Sequence, residues 1–130
     1  MLVLLFITPA FGQVLPIMER QVTTWNGCGT ATASTGNIAI KAAVTSGFIY
    51  ITTITCANSA AATATNLNFK DGTTVIAVGG VSQMAAGSDG SFFAEFPVPL
   101  KGSKNTAFNF NTDVSVTSVI CCGAGYVSAN

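Results

Sequence analysis

The chain alternates between apolar and polar residues in short runs that are separated by turn signals. A period of two marks strands with one face buried. Ile38, Ile40, Ala42 and Val44 share one side of such a run, with Lys41 on the other, and Thr45-Ser46-Gly47 breaks it. Residues 48–56 begin apolar on both sides, which predicts a central position in a sheet. Leu67 and Phe69 alternate with Asn66 and Asn68. Lys70-Asp71-Gly72 then supplies a hairpin turn, because Asp-Gly readily reaches positive φ. Residues 73–78 read as the returning strand, closed by Gly79-Gly80, and residues 81–86 as a further short strand. After a second turn at Asp89-Gly90, Phe92, Ala94, Phe96 and Val98 alternate with Phe93 and Glu95. Pro97 and Pro99 cannot donate ladder hydrogen bonds, so the end of this strand lies at an edge or leaves the sheet. Thr106, Phe108 and Phe110 alternate with Ala107, Asn109 and Asn111. Val114 and Val116 begin the last strand, whose apolar phase then shifts towards Val119 and Cys121. A bulge near Thr117-Ser118 accounts for the shift. Gly123 to Gly125 are expected to end the sheet.

No helical period is sustained, so the expected fold class is all-β. It is read as a single β-sandwich or jelly-roll-like domain of about eight short strands, occupying residues 35–130. Residues 21–34 are rich in Thr, Gly, Asn and Ala around the single anchor Trp25 and read as loop or linker. Residues 1–34 are accordingly expected to form an extended N-terminal arm and linker.

The arm opens with Leu2, Val3, Leu4, Leu5, Phe6 and Ile7. That run is far shorter than the roughly 20 residues a membrane span needs. It has the look of a short signal peptide, with Ala10-Phe11-Gly12 as a small-x-small site, but no Lys or Arg precedes it. Otherwise it must cover an apolar surface, on its own domain or on a neighbour. Burying six such side chains is worth on the order of 12 kcal/mol of gross transfer energy before ordering costs. These six residues are the candidate interface.

Composition narrows the function classes. Charged residues make up 8% of the 130, Lys+Arg and Asp+Glu number 5 each, and there is no histidine. Clustered cations for nucleic acid are absent, as are the commonest general base and the commonest metal ligand. No enzyme, cofactor, metal, nucleic-acid or membrane role is expected. With so few charges and zero net charge, the chain is suited to an obligate oligomer.

Little chemistry remains to be weighed. Cys28, Cys56, Cys121 and Cys122 permit three pairings. The adjacent Cys121 and Cys122 would point to opposite faces of a strand, which disfavours one shared metal site. Free thiols are expected ahead of a single disulfide or a four-cysteine metal site, with Cys56 and Cys121 as small buried hydrophobes. Asp71 and Asp89 precede glycine and serve turns, and Glu95 sits mid-strand, where it could pair with a lysine or meet another subunit. No carboxylate pair is singled out for glycoside hydrolysis.

The run FKDGTTVIAVGG (69–80), the run SFFAEFPVPLKGSKNTAFNFNT (91–112) and the closing GAGY (123–126) resemble small β-sandwich virion proteins of tailed bacteriophages. The likeness spans residues 48–126. It implies a capsid decoration or cement protein, favoured as a homotrimer, that lies against the major capsid protein or other virion proteins and is assembled in the host cytoplasm. The alternative is a receptor- or glycan-binding spike or fibre domain, for which Trp25, Tyr50 and Tyr126 are the Trp and Tyr candidates for stacking on sugars.

Overall fold

The computed structural model describes residues 22–32, 35–59, 63–82 and 90–129. It is all-β, with eight strands: β1 (Thr23–Thr32), β2 (Ile38–Lys41), β3 (Phe48–Asn58), β4 (Thr65–Asp71), β5 (Thr74–Val81), β6 (Gly90–Lys101), β7 (Phe108–Thr112) and β8 (Thr117–Ser128). They form two four-stranded sheets, ordered β1-β8-β3-β6 (sheet A) and β2-β7-β4-β5 (sheet B), with antiparallel pairing in every ladder. The pairs β1 with β8, β2 with β7, β3 with β6 and β4 with β5 nest like one long hairpin. The joins β3–β8 and β4–β7 roll it into the two sheets. Each sheet holds alternate pairs, so the chain crosses between sheets at every connection except the β4–β5 hairpin. This is the double-sheet jelly roll.

The core lies between the sheets. Leu67 and Phe69 of β4, Phe108 and Phe110 of β7, and Ile49, Ile51 and Ile54 of β3 are fully buried there. Each such side chain contributes roughly 1.5–3 kcal/mol of transfer energy. The Phe69 ring stacks on Phe92 at 5.4 Å and on Phe108 at 6.3 Å. The alternations of β4, β7 and of β6 up to Phe96 follow the pattern of the sequence, with Asn66, Asn68, Asn109 and Asn111 on the outer side of sheet B. The Asp71-Gly72 turn joins β4 to β5, with Gly72 at φ 61°.

Three irregularities explain breaks in the apolar phase. In β3 the ladder shifts between Ile51 and Thr53, so Ile51 and Ile54 both face inward. The same shift lets the segment between Glu95 and Leu100, with Pro97 and Pro99, bow out of the ladder on the edge strand β6. Val98 at the crest of that bow is 81% exposed, where simple alternation had it inward. In β8 Thr32 pairs with Thr117 and Ala31 with Val119, a bulge at Ser118 as the sequence suggested.

Several expectations are corrected. Residues 23–32, read as loop or linker, form the edge strand β1, paired along its whole length with β8. Val114 and Val116 precede the last strand instead of beginning it, and Gly79-Gly80 lie within β5. The glycines near residue 124 do not end the sheet, since β8 continues to Ser128. A Cβ on Gly125 would stand 1.9 Å from the Tyr50 carbonyl oxygen, so the close approach of β3 and β8 requires glycine inside the strand.

The cysteines are not free thiols, nor is there only one bridge. Cys28 on β1 bonds to Cys122, and Cys56 on β3 bonds to Cys121. Both are cross-strand pairs in direct register. Because Cys121 and Cys122 point to opposite faces of β8, one bridge is buried in the core and the other lies on the outer face of sheet A. The central strand β8 is thus stapled to both its neighbours.

Candidate subunit interface

The expected interface residues Leu2, Val3, Leu4, Leu5, Phe6 and Ile7 lie outside the described residues. What the fold presents is a second surface, the outer face of sheet A. Strands β1, β3 and β8 contain no charged residue, and β6 contributes only Glu95 and Lys101. Strand register lines the outward side chains up in rows across the sheet. One row runs Thr30, Ile120, Ala57, Ser91; the next Cys28, Cys122, Thr55, Phe93; the third Asn26, Ala124, Thr53, Glu95.

Apart from Glu95 at the β6 edge, these three rows consist of small or uncharged polar residues and a disulfide, with two large apolar side chains standing on them. Phe93 is 66% exposed and Ile120 is 43% exposed. Past the β3 bulge the fourth row is Thr24, Tyr126, Tyr50, Lys101. The two tyrosine rings stack at 4.6 Å, and the Lys101 ammonium sits 4.1 Å from the centre of the Phe48 ring. Stacking and the cation–π contact hold this end rigid. A flat, stiff surface of low charge costs little to desolvate and loses little side-chain entropy on contact.

Sheet B differs. Asn66, Asn68, Asn109 and Asn111 line its outer side, and the side chains of Asn66, Asn109 and Asn111 are tied into the chain by hydrogen bonds. Asn109 Nδ2 donates to the Gly72 carbonyl at 3.0 Å, and Asn111 Nδ2 to that of Thr35 at 3.1 Å. Lys70 Nζ donates to Asn37 Oδ1 at 3.0 Å. At the far end, Asp113 Oδ1 accepts from Thr65 Oγ1 at 2.8 Å and from the Asn66 backbone N–H at 2.8 Å, while its Oδ2 accepts from Asn66 Nδ2 at 2.7 Å. The Asn66 backbone bond first, then the Thr65 and Asn66 side chains, hold this carboxyl below its ordinary pKa.

Two depressions in the described surface offer no acid–base pair. One, of about 290 Å³, is lined by Thr65, Asn66, Gly80, Ser82 and Asp113, the last with both oxygens already engaged. The other, of about 560 Å³ beside the β3 bulge, holds Thr24, Trp25, Asn26, Thr52, Ala124 and Gly125, none of them titratable. Among the described residues no group of three His, Cys, Asp or Glu side chains could hold a metal ion. Asp71 ends β4 just before the Gly72 turn, and its carboxylate accepts from the Ser103 N–H at 2.8 Å, which ties it to the β6–β7 connection; Asp89 lies outside the described residues.

Of the rings suggested for stacking on sugars, Trp25 is 8% exposed and packs against Phe108, and Tyr50 and Tyr126 already stack on each other. Sequence reading missed the outer-face rows because they depend on pairing between strands far apart in the chain. The only local signal was Phe93, set out of phase with Phe92 and Ala94.

No protein-family model matches the chain, and no curated protein matches it in sequence. Among solved structures it is similar to the cryo-EM structure of the giant freshwater prawn Macrobrachium rosenbergii extra small virus VLP. Identity is 12%, the match covers 97% of this chain and 94% of that chain, and the TM-score is 0.42, a likeness that carries no functional argument.

Proposed function

We propose that this protein is a structural subunit of a virion and acts by lying against other protein subunits, with no bond-making step. The observation that carries the reading is the outer face of sheet A, uncharged over three strands and crowned by exposed Phe93 and Ile120. Exposed apolar side chains set on a low-charge surface mark contacts between proteins. The double-sheet jelly roll is an architecture of viral capsid domains, although lectins use it too, so the fold alone does not decide. The finer reading is a capsid decoration or cement subunit of a tailed phage, a trimer seated on the major capsid protein, as the sequence resemblance implies. The two disulfides fit a particle that leaves a reducing cytoplasm for oxidising surroundings, where the bridges persist.

The test is assembly in solution and on particles. The full chain is expected to sediment as a closed oligomer at micromolar concentration and to co-purify with virions in copy numbers comparable to the shell protein. Phe93→Glu is expected to weaken self-association or shell binding at least tenfold while leaving the melting temperature within a few degrees, because Phe93 projects into solvent. A full chain that stays monomeric and binds no shell would overturn the proposal.

A further inference from the structure

Four strand edges bound the sandwich: β1 and β6 in sheet A, β2 and β5 in sheet B. The unpaired N–H and C=O groups of an edge recruit another strand unless something covers or blunts them. β1 and β2 cover each other. The Ile40 carbonyl oxygen lies 2.3 Å from where a Cβ on Gly27 would stand, an approach only glycine allows. β6 is blunted by Pro97 and Pro99, which leave its ladder, and by the charges of Glu95 and Lys101. Among the described residues β5 shows none of these devices along its edge. Its sequence, TVIAVGGV, carries no charge and no proline, and Val75, Ile76 and Val78 are exposed.

We infer that the β5 edge is the acceptor for residues 2–7 of a neighbouring copy of this chain, which add to sheet B as a fifth strand. The inference rests on the subunit reading above and gives it a contact. The occupant follows from the chain that precedes the described residues. Residues 2–7, LVLLFI, are uncharged like β5 and long enough to pair with six of its eight residues. Residues 8–22 tether that segment to β1; fifteen residues at about 3.3 Å each reach about 50 Å.

The tether is rooted at Thr23, on the β1/β2 flank, and the acceptor is on the opposite, β5/β6 flank. A neighbour that sets its β5/β6 flank against this β1/β2 flank brings its acceptor edge beside the root, so the arm need not cross its own sandwich. Such a head-to-tail contact is heterologous and builds a closed ring when the rotation per subunit closes. The main-chain ladder supplies affinity, and the match of two uncharged strands avoids burying an unpaired charge.

The test uses two defective chains. One lacks residues 2–7 and keeps its edge. The other keeps its arm and carries Val75→Lys with Val78→Lys, two exposed positions where charge is compatible with folding. Each alone is expected to be a monomer by sedimentation, with a melting temperature near that of the full chain. Mixed in equal amounts they are expected to form a one-to-one heterodimer, since one intact arm meets one intact edge. No heterodimer, or an arm-deleted chain that still self-associates like the full chain, would refute the inference. So would a mature chain whose intact mass shows that it begins beyond Ile7. In all three cases a full chain that oligomerises leaves the subunit reading standing, whereas a monomeric full chain removes that reading as well.

Discussion

Asp113 anchors the turn before β8 to the start of β4. It accepts three hydrogen bonds from Thr65 and Asn66, and its own N–H donates to the Asn66 carbonyl at 3.1 Å. These donors favour the ionised carboxylate and so depress its pKa from 3.8. A group whose folded pKa is depressed adds stability that is fully present above its unfolded pKa and is lost as pH falls through the folded one. Asp113→Asn places an amide NH₂ against the Asn66 donor and removes the charge. The variant is expected to lose about 1 kcal/mol or less near pH 7, because the site is exposed to solvent. Its deficit should shrink as pH falls below the ordinary carboxylate pKa and the native carboxyl itself takes up a proton. Urea melts of both chains across that range check this, and a deficit that does not change with pH would refute it.

At the scale of elements, β8 is the keystone of sheet A. It pairs with β1 on one side and β3 on the other, and each seam has a disulfide. The bridges close loops of 94 and 65 residues in sequence separation. In the chain-entropy account each such closure alone is worth about 4–5 kcal/mol, the second adding less once the first has shortened its loop. Position separates them further. Cys28 is exposed, whereas Cys56 and Cys121 are 1% and 0% exposed. Mild reductant is therefore expected to open Cys28–Cys122 first, leaving Cys56–Cys121 closed until the sheet unfolds. Alkylation during reduction followed by peptide mass mapping reads the order. Replacing Cys28 and Cys122 with serine should lower stability by about 2–4 kcal/mol while preserving the fold, because the outer face can solvate the hydroxyls.

Across the described molecule, most stabilising contacts are non-local. The first and last described strands, β1 and β8, pair along their length, and β8 completes the roll. Such topologies fold slowly, and the disulfides restrain the unfolded chain. A subunit with so few charges also assembles in a characteristic way. Its self-association is expected to change little between about 0.1 M and about 1 M salt, over which the Debye length falls from ~10 Å to ~3 Å. It should weaken on cooling, as apolar burial does near room temperature. Sedimentation at both salts and two temperatures checks this; dissociation by salt would point to an interface built on charges instead of apolar area.

Local chemistry let the sequence by itself determine the all-β class, the inward and outward sides of β4, β7 and of β6 up to Phe96, the Asp71-Gly72 turn, the bulge at Ser118 and the edge at Pro97 and Pro99. Each of these depends on side-chain period or on the backbone limits of one or two residues. Only the tertiary structure decided that TTWNGCGTAT is a strand, because its glycines answer to β2, which packs over them, and the period of two is lost. It likewise decided the cysteine pairing, since spacing along the chain says nothing of which strands lie side by side. The row that joins Cys28, Cys122, Thr55 and Phe93 exists only once four strands distant in sequence share one register, and so does the face they build.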